Sequence, residues 1–519
     1  MHRSPTAEAE LAAELAALRP ALGPRFAAAL PGARAAVLTR LWRALAHEPL
    51  PWIARREPGR EGLTLHLRDG RRLHGPHADP YATAGYVTEV RLDAGAGGGA
   101  GGGVAGREAV HVDPARLMTD LAVPHGGSLA DELGHSTASL ALSRAGHASF
   151  GRHPNEWPAH DWEWEQRVVD GHPYHPNCRS RPGFSVAEQL AYAPEHRPRS
   201  VRLGLLPVPA GECLVSGVWP SELRDGERVV IPVHPWQAQH VLKRTCEEGL
   251  AAHPLMSLRT LALPDGPHVK TALSARLTSS VRDISVGSVT ASAALSAFGE
   301  TLAARTDGLL HTTRTLGAVT ARTPDLAALL RESPAVYAAR GEHVVPVAAL
   351  ATTELPARAG WLAEFARLAL TVGLRLLELG VALEAHGQNL LVVLSASGAP
   401  LRLVYRDLAD IRVSPARTAR HGLTLPKLPE RILTDDVTAL RRKLFGSLVA
   451  GALAGTAGSR EALRAALAAA VREVPSTADT AALCEEPLPV KALTLMRLSP
   501  GVSGDQWTEL PNPLVAGEG

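Results

Sequence analysis

The carboxyl-terminal part of the chain alternates long apolar runs with one short polar segment. The run from Trp361 to Leu383 has helical periodicity and is interrupted by charged residues, which predicts a buried helix rather than a membrane span. The polar segment EAHGQN, residues 384–389, comes next, and two apolar runs of strand length follow at 390–394 and 401–406. This order predicts a helix, a polar loop and a pair of strands.

The rest of the chain mixes helical and strand periodicity in blocks. Because 519 residues are too many for one core, we expect two or three domains of an α+β protein. The expected elements are a helical region at 6–48 broken at Pro20, Pro24 and Pro31, strands at 62–74 and 86–92, a helix at 129–144, short strands with proline-rich turns at 160–290, and helices at 436–456 and 459–472.

A run of glycine and alanine, Ala94–Gly106, separates two strand-like segments. A phosphate-binding loop would need a helix directly after the glycines, whereas a strand-like segment follows here. The run is therefore predicted to be an expanded hairpin loop.

Composition excludes several classes of function. The balance of 54 basic against 52 acidic residues argues against nucleic acid as a partner. Four widely spaced cysteines without a CxxC pair suit a reducing cytosol, and the amino-terminal segment lacks the apolar core of a signal peptide. We expect a cytoplasmic protein without a membrane partner. Lysine is scarce in this arginine-rich chain and occurs only at Lys243, Lys270, Lys427, Lys443 and Lys491.

The polar loop and the strands after it carry candidate nucleotide and metal ligands. Asn389 stands directly before one predicted strand, and Asp407 follows the next. Kinase-like folds place their nucleotide and metal ligands in this order, so ATP chemistry is the first hypothesis. Glu384 and Asp407 would suffice as carboxylate ligands for Mg²⁺, which takes further ligands from phosphate oxygens. The alternative is a capped helix end with a surface aspartate.

Histidine, proline and arginine are concentrated in the segment GHPYHPNCRSRPG, residues 171–183. Proline after each histidine favours extended or polyproline conformation. Three interpretations are open: a metal site, a proline-stiffened turn, and an anion-binding face on which the guanidinium groups of Arg179 and Arg181 each donate two hydrogen bonds. The anion-binding face is favoured, because a second pair of zinc ligands is not evident. With three residues per turn, one face would carry His172, His175, Cys178 and Arg181.

A further candidate lies in residues 268–280, predicted as a strand followed by a turn that continues through 278–283. Lys270 and Arg276 share one face of that strand but lie ~20 Å apart, so only one of them is expected to reach a reacting centre. The turn would form a triphosphate clamp from hydroxyls and a guanidinium. By contrast, VHPWQ at 233–237 predicts a buried Trp236 beside a hydrogen-bonded His234.

Four ordered blocks together resemble the IucA/IucC family, the NRPS-independent siderophore (NIS) synthetases. The blocks are GHPYHPNCRSRPG at 171–183, VHPWQ at 233–237, KTALSARLTSSVR at 270–282, and EAHGQN with the later RD at 384–407. The resemblance implies a multi-domain, hand-like α+β fold whose palm has a kinase-like arrangement of strands and loops. The implied domains are a thumb at 1–125, fingers at 126–350 and a palm at 351–519, with ATP held between fingers and palm.

The resemblance also implies a reaction and a set of residues. ATP and Mg²⁺ would adenylate a carboxylate of citrate or a related polycarboxylic acid, and an amine or alcohol would then displace AMP. The implied catalytic residues are His386, Arg282 and Lys270. The implied ATP-binding residues are Ser279, Ser280, Arg282, Glu384, Gln388, Asn389 and Asp407, with Glu384 and Asp407 also holding the metal. The substrate carboxylates would face His175, Arg179, Arg181 and Arg305.

Two positions depart from the family pattern and keep alternatives open. Arg179 stands where the family has lysine, and Asp283 replaces the threonine after the phosphate-binding arginine. An anion beside the phosphates would recruit a metal or weaken ATP binding, so a non-catalytic nucleotide- or carboxylate-binding relative is one alternative. A kinase-like phosphotransferase is another, although Gln388 occupies the place of the aspartate that small-molecule kinases need. The sequence leaves the acid, the nucleophile and the oligomeric state open, a homodimer included.

Overall fold

The protein has a mixed α+β fold, as the sequence predicted. The computed structural model describes residues 6–93, 108–147, 150–264, 266–278 and 280–515. The glycine- and alanine-rich run predicted as a hairpin loop lies outside the described residues. The two strands that flank it, Val90–Asp93 and Ala109–His111, pair in antiparallel orientation.

The amino-terminal part is a layer of helices packed on an antiparallel sheet. Asp113 begins one helix, because its carboxylate accepts hydrogen bonds from two amides of the first turn and Pro114 occupies the first helical position. The helices are α1 (Ala7–Leu18), α2 (Gly23–His47), α3 (Pro114–Leu121) and α4 (Gly126–Gly146). The sheet has the order β1 (Ile53–Pro58), β2 (Leu63–Leu67), β3 (Arg72–Gly75), β4 (Val90–Asp93) and β5 (Ala109–His111).

Helix α2 continues through Pro31, where the sequence predicted a break. A proline inside a helix costs about 3 kcal/mol. Burial of an aliphatic side chain contributes about 1.5–3 kcal/mol, and α2 buries Val37, Leu41 and Leu45 completely in the amino-terminal core. The core therefore overrides the local preference.

The middle of the chain contributes a nine-stranded sheet and a separate hairpin. The helices are α5 (Asp161–Glu165), α6 (Val186–Tyr192), α7 (Pro235–Gln237) and α8 (Val286–Ala303). The strands are β6 (Val201–Pro209), β7 (Leu214–Gly217), β8 (Arg224–Asp225), β9 (Arg228–Val233), β10 (Glu247–Pro254), β11 (Thr260–Ala262), β12 (His268–Thr271), β13 (Leu273–Leu277), β14 (Ser280–Arg282), β15 (Leu310–Thr312), β16 (Thr315–Thr320) and β17 (Ala327–Arg331). The nine-stranded order is β7-β16-β17-β12-β11-β10-β6-β9-β8, and β13 pairs with β14.

The single strand predicted for 268–280 is wrong, because the chain leaves the large sheet at Ala272. Strand β12 pairs with β11 and β17, whereas β13 forms the hairpin with β14. All of β12 is buried, so Lys270 lies inside the protein, while Arg276 on β13 is exposed.

The carboxyl-terminal part packs helices around a four-stranded sheet of order β15-β21-β20-β18. The predicted helix, loop and strand pair are confirmed as α10, the polar loop, β20 and β21. The strands are β18 (His343–Pro346), β19 (Val381–Ala382), β20 (Leu390–Leu394), β21 (Pro400–Tyr405), β22 (Arg412–Val413), β23 (Leu488–Lys491) and β24 (Trp507–Leu510). The helices are α9 (Val347–Leu350), α10 (Trp361–Glu378), α11 (Pro415–Arg420), α12 (Val437–Leu444), α13 (Ala454–Ala457), α14 (Arg460–Ala470), α15 (Ala478–Glu485) and α16 (Leu493–Leu498).

A π-helical stretch, Phe445–Leu453, joins α12 to α13 in one continuous helical segment. Stretches of this kind are often found at functional sites. Helix α10 is largely buried, and among the described helices none has the length and apolar character needed to cross a membrane.

The hydrophobic cores do not separate at residues 125 and 350. Helix α4 packs against α2 and α3, so the amino-terminal core extends past residue 125, and it also includes Cys178, Val186 and Leu498. Strand β18 lies before residue 350 but belongs to the carboxyl-terminal sheet, where it pairs with β20.

Candidate active site

A cavity of about 1250 Å³ brings three of the four motif blocks together. In the part of the chain that the structure describes, sixteen lysine and arginine side chains but only six carboxylates line it, although the net charge of the whole chain is only +2. A concave surface with this excess of one sign concentrates ligands of the opposite sign. The cavity is therefore built for anions.

Asp407 lines the cavity two residues after the end of β21. Its backbone has a φ of 77°, a conformation that aspartate tolerates better than most residues. Its carboxylate lies 2.5 Å from Lys270 Nζ and 2.9 Å from Arg331 Nη2. Burial opposes ionisation, but Arg331 and Lys270 hold the pKa of Asp407 well below its usual range. This carboxylate is therefore ionised and shared between two cations.

Glu384 has partners that the sequence analysis did not predict. Its Oε1 accepts hydrogen bonds from Lys443 Nζ and Lys491 Nζ, both at 3.0 Å. Burial opposes the shift, but these two ammonium groups lower the pKa of Glu384 to about 2. The scarcity of lysine was the available signal, because three of the five lysines line this cavity.

The predicted pair of metal ligands fits Mg²⁺ only in part. Among the described residues, no group of three or more His, Cys, Asp or Glu side chains could hold a metal ion. Mg²⁺ is commonly held by one carboxylate together with phosphate oxygens and water, which Asp407 could provide beside a bound nucleotide. Both carboxylates already have cationic partners, because Lys443 and Lys491 share Oε1 of Glu384. Lys270 and Arg331 each take one oxygen of Asp407, so Mg²⁺ would bind there once Lys270 turns to the phosphates.

The loop between α10 and β20 presents His386, Gln388 and Asn389 to the cavity. The amide of Gln388 donates to His386 Nδ1 at 3.3 Å, which leaves the proton on Nε2. Burial lowers the pKa of His386, so its ring is neutral. The amide of Ala385 donates to Ser447 Oγ at 2.9 Å, which ties the loop to the π-helical stretch.

Arg282 reaches the cavity from β14 with few partners of its own. Its guanidinium makes one long hydrogen bond, 3.4 Å to the carbonyl of Leu277, and no described carboxylate forms an ion pair with it. Arg259 fixes the backbone here by donating to the carbonyls of Arg282 and Asp283 at 2.8 and 2.6 Å. Because Asp283 itself is exposed and does not line the cavity, its charge does not face the site.

The structure says little about Ser279 and Ser280, the two serines predicted to bind ATP together with Arg282. Ser279 lies outside the described residues. The backbone of Ser280 pairs with Leu277 in the hairpin of β13 and β14.

Residues 171–181 form bends and a turn instead of the predicted polyproline face. His175 is 1% exposed, and its Nδ1 accepts the amide of Asn177 at 3.0 Å. Its Nε2 is buried and has no hydrogen-bond partner among the described groups, and burial lowers the pKa of His175 to about 3. The segment thus presents a neutral, unpartnered N–H donor at the cavity wall.

Arg179 and Arg181 share a buried counter-ion, Glu195, which the sequence analysis missed. Glu195 Oε1 lies 2.7 Å from Arg181 Nη2, and its Oε2 lies 3.6 Å from Arg179 Nη1. Arg179 also donates to the carbonyls of Val168 and Val169. The guanidinium of Arg179 is therefore held by partners within the protein and is not free to bind an anion. By contrast, Arg181 Nη1 has no hydrogen-bond partner among the described residues.

A second missed network connects distant parts of the chain around this turn. Glu132 on α4 accepts hydrogen bonds from the guanidinium of Arg497 on α16. The same carboxylate accepts Asn177 Nδ2 at 2.5 Å. Glu132 thereby holds the histidine-bearing turn against the carboxyl-terminal wall of the cavity.

Two other predicted positions lie away from the cavity. Arg305 is exposed in the turn after α8 and does not line the cavity, so it does not act as a carboxylate clamp there. The VHPWQ block is structural: Trp236 is buried against Phe184 and donates to the carbonyl of Gly183 at 3.1 Å. His234 accepts the Trp236 amide through Nδ1, as expected for a hydrogen-bonded core histidine, although its Nε2 has no described partner.

Comparisons with known protein families match two parts of the chain. Residues 160–352 match the model of the IucA / IucC family, and residues 359–505 match that of the ferric iron reductase FhuF-like transporters. The resemblance predicted from the motif blocks is thereby confirmed.

Two curated relatives are each 25% identical to the chain over the aligned residues. One is the citryl-spermidine/3,4-dihydroxybenzoyl-citryl-spermidine:spermidine ligase of Bacillus anthracis, aligned over 48% of this chain and 51% of the relative. The other is a 2-[(L-alanin-3-ylcarbamoyl)methyl]-3-(2-aminoethylcarbamoyl)-2-hydroxypropanoate synthase of Staphylococcus aureus, aligned over 54% of this chain and 58% of the relative. The chain thus matches little more than half the length of each.

Solved structures match almost the whole chain. The ATP-bound aerobactin synthetase IucA of Klebsiella pneumoniae has a TM-score of 0.70 at 19% identity, covering 93% of this chain and 99% of that one. The petrobactin biosynthesis protein AsbB of Bacillus anthracis has a TM-score of 0.71 at 19% identity, covering 94% and 96%. At this identity the likeness shows the shared α+β fold of the IucA / IucC proteins.

Proposed function

We propose that the protein is an ATP-dependent ligase that adenylates a carboxylic acid, citrate or a related polycarboxylate, and joins it to an amine or alcohol. The observation that supports this most is the convergence of three distant motif blocks on one cationic cavity. A polycarboxylate and a triphosphate repel each other, so a site that binds both needs several cations. The curated ligase relative and the ATP-bound structural neighbour support the same chemistry.

The reaction would take place in two displacements. A carboxylate oxygen attacks the α-phosphorus of ATP, the bond to the β-phosphate oxygen breaks, and pyrophosphate leaves. The nucleophile then attacks the acyl carbon, the bond to the AMP oxygen breaks, and the nucleophile loses its proton. Orientation of the two anions and neutralisation of the developing charge would provide most of the acceleration.

We assign roles from the available donors. Arg282, with one weak internal bond, would bind the phosphates, and Lys270 would join it when phosphate oxygens compete with Asp407. His386 would donate its Nε2 proton between carboxylate and α-phosphate. The unpartnered N–H groups of His175 and Arg181 would receive a substrate carboxylate.

Asp407 would hold Mg²⁺, which would neutralise phosphate charge. Gln388 and Asn389 line the same wall and would contact the nucleotide. The hand-like division into thumb, fingers and palm, a cytoplasmic location and a homodimer stay predictions.

Product analysis tests the proposal directly. Incubation with ATP, Mg²⁺, citrate and hydroxylamine is expected to yield AMP, pyrophosphate and a hydroxamate, because hydroxylamine traps an acyl-adenylate. Replacing His386 by alanine should lower hydroxamate formation by about 10²-fold, through loss of a general acid or hydrogen-bond donor. ADP as the nucleotide product would instead indicate a phosphotransferase. If citrate, 2-oxoglutarate and succinate all fail to release AMP, the proposal is wrong.

The departure at Asp283 is expected to have little effect on catalysis. Because this carboxylate is exposed and outside the cavity wall, Asp283→Thr should change AMP release by less than about twofold, as is usual for surface substitutions. Steady-state AMP release at saturating and limiting ATP provides the measurement. A large rise in activity in the threonine variant would mean that the aspartate suppresses catalysis.

A further inference from the structure

Among the described residues, every carboxylate that lines the cavity already has a cationic partner. The ion pairs are Asp170 with Arg144 at 2.7 Å, Glu332 with Arg314 at 2.7 Å, Glu384 with Lys443 at 3.0 Å, Asp407 with Lys270 at 2.5 Å, Asp410 with Arg431 at 2.9 Å, and Asp505 with Lys491 at 3.2 Å. A polyamine would have to displace one of these cations for each ammonium group that it buries. Uncompensated burial of a charge is strongly unfavourable, so the cavity disfavours a polycationic nucleophile.

Unlike the carboxylates, which all have ionic partners, Arg412 is a cation whose guanidinium keeps N–H donors that are not used in hydrogen bonds with the described residues. Its Nη1 donates only to the carbonyl of the preceding residue, Ile411, at 3.1 Å. Among the described residues no carboxylate lies within ion-pair distance of its guanidinium, yet it lines the cavity. A guanidinium with free N–H groups is well suited to bind a carboxylate through two parallel hydrogen bonds.

Strand pairing places Arg412 beside the catalytic loop. In the antiparallel pair of β19 and β22, Arg412 is the direct partner of Ala382. Ala382 is the last residue of β19, and Glu384 follows two residues later in the polar loop, where it lines the same cavity as Arg412. Lys443, which donates to Glu384, is near enough to Arg412 for the two cations to repel each other. Arg412 and Lys443 therefore form a cationic edge next to the reacting centre.

We propose that the nucleophile is an amine that has its own carboxylate, such as an amino acid, and that Arg412 binds that carboxylate. This inference rests on the proposed ligase function. The neutral nitrogen attacks the acyl carbon of the adenylate, the bond to the AMP oxygen breaks, and the nitrogen loses a proton as the amide forms. The carboxylate of the nucleophile stays unchanged and holds the nitrogen in position.

Matched pairs of amines that differ only by one carboxylate test the proposal. The pairs are L-lysine with cadaverine, L-ornithine with putrescine, and L-2,3-diaminopropionate with 1,2-diaminoethane, with spermidine as an additional polycation. The full-length chain is incubated with ATP, Mg²⁺ and the acid that gives the most hydroxamate. Amide product and AMP are then measured for each amine, which yields kcat/KM for both members of every pair.

The carboxylated member is expected to be favoured by about tenfold or more in at least one pair, the typical effect of one charge-assisted hydrogen bond. In Arg412→Gln that ratio should fall to about one. Any general loss of activity cancels in the ratio, so a folding defect cannot produce this result. Arg420→Gln, which removes an exposed guanidinium on the neighbouring α11, should keep the ratio of the unmodified protein.

Two results would overturn the inference while leaving the ligase function intact. One is a preference for the decarboxylated amines or spermidine, and the other is an unchanged ratio in Arg412→Gln. Absence of hydroxamate with every acid would instead overturn the proposed function, and this inference with it.

Discussion

Replacing Arg282 by alanine is expected to reduce AMP release by about 10²–10³-fold, which corresponds to about 3–4 kcal/mol of lost transition-state stabilisation. The side chain extends into the cavity with one weak hydrogen bond and no described carboxylate partner. Its donors are therefore available to phosphate oxygens, whose negative charge must be neutralised as the carboxylate attacks. AMP release and pyrophosphate release, followed together at saturating citrate, provide the measurement.

Two companion variants show whether the effect belongs to the position and to the forked geometry. Arg276→Ala removes an exposed guanidinium from the partner strand of the same hairpin and should retain activity within about twofold. Arg282→Lys keeps the charge but loses the fork, so it should fall between the alanine variant and the unmodified protein. Near-normal turnover in a folded Arg282→Ala protein would contradict the proposed phosphate site.

Replacing Glu195 by glutamine is expected to lower the free energy of unfolding by about 3–5 kcal/mol, the usual effect of removing one member of a buried ion pair. The Glu195 side chain is fully buried between Arg179 and Arg181 and accepts Ser143 Oγ at 3.0 Å. Without the carboxylate, two neighbouring guanidinium groups would be buried with no anion between them. Urea unfolding followed by circular dichroism measures the change.

The pH dependence separates this electrostatic effect from a packing defect. Burial opposes ionisation, but Arg179 and Arg181 hold the pKa of Glu195 well below its usual range. A carboxyl group with a lowered pKa stabilises the fold above its unfolded-state pKa, and this contribution is lost as the pH falls below that value. The difference in stability between the unmodified protein and Glu195→Gln should therefore shrink from pH 6 towards pH 3.

Glu227→Gln is a matched control, because Glu227 is exposed in the same part of the chain. Its free energy of unfolding should differ from that of the unmodified protein by less than about 0.5 kcal/mol. An equally small effect of Glu195→Gln would show that the arginine pair does not depend on this carboxylate.

Local patterns in the sequence were sufficient where one element determined the answer. The helix, polar loop and strand pair at 361–406 follow from periodicity, because each period specifies one kind of backbone. The placement of Asn389 before one strand and Asp407 after the next was also predictable, since both positions are defined by the ends of those strands. The order of the motif blocks pointed to the family for the same reason.

Predictions from local sequence patterns were wrong where tertiary packing determines the backbone conformation. Pro31 is a strong helix breaker, yet α2 continues because its apolar face is buried. The strand predicted over 268–280 divides at Ala272, because its two halves pair in different sheets. Asp283, next to Arg282 in sequence, is exposed and does not line the cavity, because β14 ends at Arg282.

The sequence by itself determined the α+β class, the order of the chemical groups and the cationic character expected of an ATP and carboxylate site. Only the tertiary structure decided which charges are free. Glu195 forms ion pairs with Arg179 and Arg181. Lys491 forms one with Glu384, which lies 107 positions away along the chain. Ion pairs between such distant residues leave no periodic trace in the sequence, because they depend on how separate elements pack and not on the conformation of any one of them.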